Sequence, residues 1–266
     1  MKYWEVKMKS DRVGELLLYG PISDAKFWGD EVTPTQIDKD LKALGELDAL
    51  HVRINSGGGS VFAGQAIYNI IKRHSAAEKI AYVDGLAASM ASIIPMACSK
   101  IIMPANSLMM VHKPWAMAIG NADELRARSD LLDKIEGQQV DVYQEKTGKP
   151  REEIHQLLTD ETWMTAQEAL DLGFIDEIEQ DIQIAASIDG DFLVFGSVKV
   201  DPQDYKDPSK LETYRAGLEP LEPVANKILE PKLEDPAPGS EVLAEQAQEF
   251  YRLREKIYKT YEEDGK

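Results

Sequence analysis

Between residues 15 and 178 the chain alternates between two hydrophobic periods. Short apolar runs at 15–20, 49–54, 79–83, 100–103 and 107–111 read as strands. Apolar spacings of three and four residues predict helices over 35–44, 60–72, 89–98, 123–147 and 165–172, and in 60–72 Val61, Ile67, Ile70 and Ile71 share one side. Pro34 falls in the first turn of the first helix, with Thr33 as its candidate N-cap, and Gly148 and Pro150 end the long helix. Strands alternating with helices of this length predict βαβ units and an α/β fold.

The pattern changes near residue 200. Of the 13 prolines, seven stand at 202, 208, 220, 223, 231, 236 and 238. That density suits an extended segment rather than helix or sheet interiors. Beyond it, 241–262 carries Val242, Leu243, Phe250, Leu253, Ile257 and Tyr258 among many charges, an amphipathic helix with an interrupted stripe. The expected organisation is a domain over 1–185, an acidic Pro-rich linker over 186–240 that is partly ordered at its start, and a terminal helix or tail over 241–266.

Composition narrows the class. A net charge of −17 argues against nucleic acid and anionic membrane as partners. The single cysteine, Cys98, excludes an intrachain disulfide and makes a Cys-based metal site improbable. Lying in an apolar stretch, it reads as a packed thiol. No segment reaches about 18 uninterrupted apolar residues and no secretory signal is apparent at the start, so the expected setting is a reducing cytoplasm.

Two segments carry candidate chemistry. Gly85-Leu86-Ala87-Ala88-Ser89-Met90-Ala91 sets a serine among small residues, the frame used where a strand turns sharply into a helix and leaves a hydroxyl exposed. Met109-Met110-Val111-His112-Lys113-Pro114 places a histidine at the end of an apolar run, from which the proline turns the chain away. A histidine within reach of the serine could take its proton as it attacks a carbonyl. His112 could equally be structural. The rival histidines have blander settings: His74 at a helix end, His155 in a charged segment and His51 at the start of a strand. Gly57-Gly58-Gly59, between a strand and a helix, is either a flexible turn or an oxyanion hole and substrate-binding edge built from backbone N–H groups. A third, acidic group is needed to orient the imidazole. Asp160 and Glu161 both precede a new element, and capping or solvation is the bland alternative for each.

These segments resemble the proteolytic subunit of the Clp protease, and still more the phage head maturation (prohead) proteases related to it. Asn55-Ser56-Gly57-Gly58-Gly59 and Ala63-Gly64-Gln65-Ala66-Ile67-Tyr68 resemble the family's Asn-Ser-Pro-Gly-Gly loop and helix, with Gly57 where proline is usual. Gly85 to Ser92 resembles the nucleophile segment, Met110 to Pro114 the histidine segment, and Thr162 to Ala169 with Gly173 to Asp176 the segment after the acidic member. The resemblance implies Ser89 as nucleophile, His112 as base and Glu161 at a position usually held by aspartate, with Asp160 beside it as the alternative. It implies an oxyanion hole from the N–H groups of Gly58 and Met90, with Gly57 and Gly59 binding substrate backbone. The phrase Tyr19-Gly20-Pro21-Ile22 with Phe27-Trp28-Gly29-Asp30-Glu31-Val32-Thr33-Pro34 resembles the phage branch.

The expected protein is thus a serine endopeptidase with the ββα-spiral fold shared by Clp proteases and crotonases. Its catalytic core would need no ATP, cofactor or metal. The resemblance implies a homo-oligomer, a heptameric ring or stacked rings with helix 123–147 between them. Its implied substrates are capsid and scaffold proteins, met in the bacterial cytoplasm or prohead interior. The tail would be a scaffold-like tether, a segment the enzyme removes, or a solubilising extension. Two rival functions are a crotonase-type acyl-CoA hydratase or isomerase, working through carboxylates, and a catalytically inactive capsid assembly protein.

Overall fold

The computed structural model describes residues 4–24, 32–179, 186–189, 192–195 and 198–201. The chain divides into two units, 1–221 and 222–266, and the second lies wholly outside the described residues, as does the helix expected from 241. The Pro-rich run from 202 and the expected boundary at 185 lie outside them too.

A mixed sheet forms the frame. Strands β1 (Trp4–Ser10), β2 (Val13–Tyr19), β3 (Ala49–Ser56), β4 (Glu78–Ala88), β5 (Lys100–Pro104) and β8 (Glu177–Glu179) are neighbours in that order. The β1–β2 hairpin is antiparallel and the remaining pairs are parallel. Helices α1 (Pro34–Ala43) and α2 (Val61–Arg73) supply the crossovers from β2 to β3 and from β3 to β4. Their burial follows the apolar stripe: Ile37 and Leu41 in α1, and Ala63, Ile67, Ile70 and Ile71 in α2, join the core. Thr33 holds the N-cap position of α1 without a side-chain bond, whereas the Ser60 hydroxyl caps α2 by accepting from Ala63 N.

Strand β4 outgrows the expected 79–83 and serves two partners. Ile80–Tyr82 pair with β5, while Leu86–Ala88 pair with β6 (Leu108–Val111). The switch follows a register shift opposite Ile54 and Ser56 of β3. There the buried Asn55 side chain accepts the Leu86 N–H at 3.2 Å, satisfying a donor that the irregular ladder would otherwise strand. Strand β6 then pairs antiparallel with β7 (Thr162–Thr165).

The helix expected over 89–98 is instead one turn, α3 (Met90–Ile93), running into a 3₁₀ turn, Ile94–Ala97. Pro95 removes a helical donor, which accounts for the break. The long helix α4 (Ala122–Thr147) starts on an Asn121/Glu124 capping box and stops at Gly148, in the left-handed region with φ 69°. Helix α5 (Arg151–Thr159) leads to β7, and a Thr165/Glu168 capping box opens α6 (Ala166–Asp171). At the start of the expected linker, β9 (Ala186–Asp189), β10 (Phe192–Phe195) and β11 (Val198–Val200) form a separate antiparallel sheet.

Candidate active site

Strand register builds the site. Ala88 of β4 pairs with Met110 of β6, and the next N–H along β4, that of Ser89, donates to the Met110 carbonyl at 2.9 Å. One step past β6, His112 therefore stands beside Ser89, with Nε2 2.7 Å from Ser89 Oγ. Val111 in turn pairs with Thr162 of the antiparallel β7. The residue preceding Thr162, Glu161, faces His112, its Oε2 3.7 Å from Nδ1. Both side chains are largely buried.

Ser89 sits where β4 turns into α3, with φ 54° and ψ −128°. A non-glycine residue there stores about 1–3 kcal/mol of strain. The small neighbours explain how the turn fits: Ala87, Ala88 and Ala91 are buried around it. As the first residue of α3, Met90 has an N–H with no carbonyl one helical turn before it, so this N–H can serve a ligand.

The glycine loop approaches from β3. A Cβ on Gly58, whose φ is 100°, would lie 2.8 Å from the Ser89 Cβ and 3.1 Å from the Met90 nitrogen. The absence of a side chain thus keeps Met90 N–H accessible. Gly58's own N–H donates to Ser56 Oγ at 3.1 Å, and that hydroxyl donates to the Gly20 carbonyl. Gly58 N–H, expected to face an oxyanion, is therefore engaged by Ser56 here. Gly59 joins Ile22 through a parallel bridge, made by the Gly58 carbonyl and the Ser60 N–H. Parallel pairing leaves Gly59's own N–H and C=O on the side away from Ile22. A Cβ there would come within 2.1 Å of the Ile22 carbonyl oxygen. Gly57 has no such constraint: nothing lies within 4 Å of its missing Cβ.

The two acids part company. Asp160 ends α5 in a right-handed helical conformation, is exposed, and accepts from Gln156 Nε2 at 2.9 Å. Glu161 takes φ 49° and turns its side chain inward. Main-chain bonds hold this corner together, with Lys113 N–H donating to the Leu158 carbonyl at 3.1 Å.

The other histidines lie elsewhere. His51, half-buried on β3, contacts the Tyr82 ring and Lys9, and burial lowers its pKa. His74 caps α2, and its Nδ1 accepts from Ala76 N–H at 3.1 Å, with burial and then Lys79 lowering its pKa. His155 is exposed on α5, 3.1 Å from a Glu136 carboxylate oxygen. Burial pushes the Cys98 thiol up to about 12, as suits a packed, inert side chain.

Sequence reading passed over three residues here. Asn55, quoted there only as part of a motif, latches the β3–β4 irregularity. Ser92 and Tyr143 meet at 2.7 Å beneath the nucleophile turn. A polar residue three places after the serine, in an apolar run, was the one available signal.

The arrangement can run acyl transfer: a hydroxyl against a ring nitrogen, a carboxylate behind the ring, and a helix-start N–H beside the hydroxyl. Among the described residues no cluster of His, Cys, Asp or Glu is suited to a metal, and no helix is long and apolar enough to cross a membrane. Residues 31–181 match the model of the family described as Clp protease. The chain is 35% identical, over 169 residues, to the ATP-dependent Clp protease proteolytic subunit 1 of Chlamydia caviae, covering 59% of this chain and 88% of that relative. It is 31% identical over 155 residues to the ATP-dependent Clp protease proteolytic subunit of Porphyromonas gingivalis, covering 56% and 69%. Against proteolytic subunit 1 of Chlamydia abortus it is 38% identical over 129 residues, covering 47% and 67%.

Proposed function

The chain belongs to the Clp protease family of serine endopeptidases, and we propose that Ser89, His112 and Glu161 are its catalytic triad. The observation that carries this reading is the 2.7 Å contact between Ser89 Oγ and His112 Nε2 at a strained strand-to-helix turn. Ser89 attacks the peptide carbonyl as Nε2 accepts its proton, and the same nitrogen returns the proton to the leaving amine. Glu161 holds the ring so that Nδ1 carries its proton and stabilises the imidazolium that forms.

Met90 N–H is one oxyanion donor. Gly58 serves first as clearance for it, and donates as well only if its N–H leaves Ser56. Gly59 offers the adjacent outward-facing N–H and C=O. Substrate backbone pairs along the Gly57–Gly59 edge, which reads main chain rather than side chains and suits broad specificity. Ser–His contact favours this chemistry over a carboxylate-driven acyl-CoA reaction.

Ring assembly rests on family membership and on the surface around α4. Trp115, Met117 and Ile119 are exposed just before the helix, Leu125 and Leu131 on its first half. Exposed apolar side chains so close along the chain offer an interaction surface, and a second copy of the chain is the partner the family implies. Phage capsid and scaffold proteins as substrates rest on the 19–34 phrase alone, since the relatives above are bacterial Clp subunits.

A fluorophosphonate probe tests the enzyme reading. The purified chain is expected to label covalently, and Ser89→Ala to abolish labelling and peptide hydrolysis together. Absence of labelling in the unaltered chain would favour an inactive assembly protein. Mass spectrometry of capsid proteins co-expressed with the active and Ser89→Ala chains tests the substrate: cleavage dependent on Ser89 supports it, identical products exclude it.

A further inference from the structure

Resting on the peptidase reading, we infer that Ser92 and Tyr143 are positioning residues that aim the Met90 oxyanion donor. Ser92 Oγ donates its single proton to the Ser89 carbonyl at 2.5 Å, and Ser92 N–H donates to the same oxygen at 3.0 Å. The Tyr143 hydroxyl lies 2.7 Å from Ser92 Oγ. With the serine proton committed, Tyr143 is the donor of that bond. The result is a directed chain, from Tyr143 O–H to Ser92 O–H to the Ser89 carbonyl.

The Ser89 carbonyl and the Met90 N–H belong to one peptide plane. No cis peptide bond occurs among the described residues, so the two groups point in opposite directions. Pinning the carbonyl therefore fixes where the N–H points. Backbone sterics alone would not hold the plane, because Ser89 has the unfavourable φ 54° and ψ −128°. The anchor is rigid. Tyr143 is fully buried on α4, its ring 5.4 Å from that of Phe174. One turn earlier on the same helix face, Gln139 Nε2 approaches Met90 Sδ at 3.9 Å. Burial also raises the pKa of the phenol, so it remains a donor at any working pH.

Ser92→Ala and the double variant Ser92→Ala/Tyr143→Phe separate positioning from packing. In the single variant a buried hydroxyl loses its partner, and the thermal midpoint falls. Removing that hydroxyl as well restores the midpoint. Both variants keep the Ser92 N–H bond to the Ser89 carbonyl and lack the hydroxyl one, so both are expected to label with the fluorophosphonate about tenfold more slowly and to lose kcat with KM unchanged. Recovery of the labelling rate together with the midpoint in the double variant would overturn the inference and leave the pair as packing. An unaltered chain that does not label overturns the peptidase reading itself.

Discussion

His112 and Glu161 face one another one residue beyond the end of the β6–β7 ladder, Nδ1 and Oε2 3.7 Å apart. This exceeds a direct hydrogen bond, and the contact is expected to shorten when the ring takes the Ser89 proton during reaction. Glu161→Gln is expected to lower kcat by about 10³–10⁴ on a fluorogenic peptide, the scale of losing a triad acid. Asp160→Asn leaves kcat near that of the unaltered chain, since Asp160 faces Gln156. Equal losses in the two variants would refute the assignment.

Consecutive glycines in the loop differ in what they tolerate. Gly57→Ala meets open space, and is expected to be neutral or to stabilise by about 0.4–1 kcal/mol through the unfolded chain. Gly59→Ala drives a methyl into the Ile22 carbonyl and costs about 2 kcal/mol or more. Gly58→Ala places a methyl 2.8 Å from the Ala88 carbonyl oxygen and 3.1 Å from the Met90 nitrogen at a φ of 100°, so stability and labelling both fall. Denaturant midpoints measured beside labelling rates check all three.

Away from the site, Asp84 is buried on β4, receiving Arg53 Nε at 2.8 Å and the Tyr19 hydroxyl at 2.5 Å. Burial raises the Asp84 pKa despite both bonds, whereas on Arg53 burial is the largest single influence but the charges and hydrogen bonds of Asp84 and Tyr19 together exceed it and raise the pKa. The raised Asp84 value marks the cost of burying a carboxylate, which its partners only partly offset. Arg53→Met leaves that buried carboxylate with the Tyr19 hydroxyl but no cation and is expected to cost about 3 kcal/mol. Asp84→Asn in the same background should recover much of the loss, read as a thermal midpoint.

Acid sensitivity follows from His74 and His51. Both have folded pKa values below the ordinary histidine value, chiefly through burial. The unfolded chain therefore takes up these protons first, so stability is full above about pH 6.5 and declines as pH falls toward the folded values. His74→Gln is expected to flatten the slope of stability between pH 7 and 5.5 in denaturant titrations.

Assembly can be separated from chemistry at the apolar segment before α4. Ile119→Asp is expected to shift the chain toward smaller species in sedimentation velocity, with an unchanged far-UV spectrum, because the side chain is almost fully exposed in the single chain. An unaltered distribution would remove this segment from the interface.

Much of the architecture was legible in the chain because hydrophobic periodicity reports which face of each segment is buried. The βαβ order and helices α1, α2, α4 and α6 follow from it and from the Pro and Gly that bound them, while the turns at Ser89 and the glycine loop follow from the small residues there. Strand β1 escaped although it carries the signal: Trp4, Val6 and Met8 alternate with Glu5, Lys7 and Lys9, the period of two expected of a strand with one solvated face, without the continuous apolar run that marked the buried strands. Strand β7 is four residues long, too short to show a period.

Local sequence marked Ser89 and His112 through the frames around them, and family resemblance supplied their roles. Only the folded chain decides which acid faces the ring, which glycine N–H remains outward, and that Tyr143 stands behind the nucleophile. The reason is physical. These are matters of register and backbone conformation: Val111 against Thr162, a left-handed φ at Glu161, a hydroxyl on α4 reaching Ser92. Such pairings join residues about fifty positions apart, and no local pattern of polar and apolar positions encodes them.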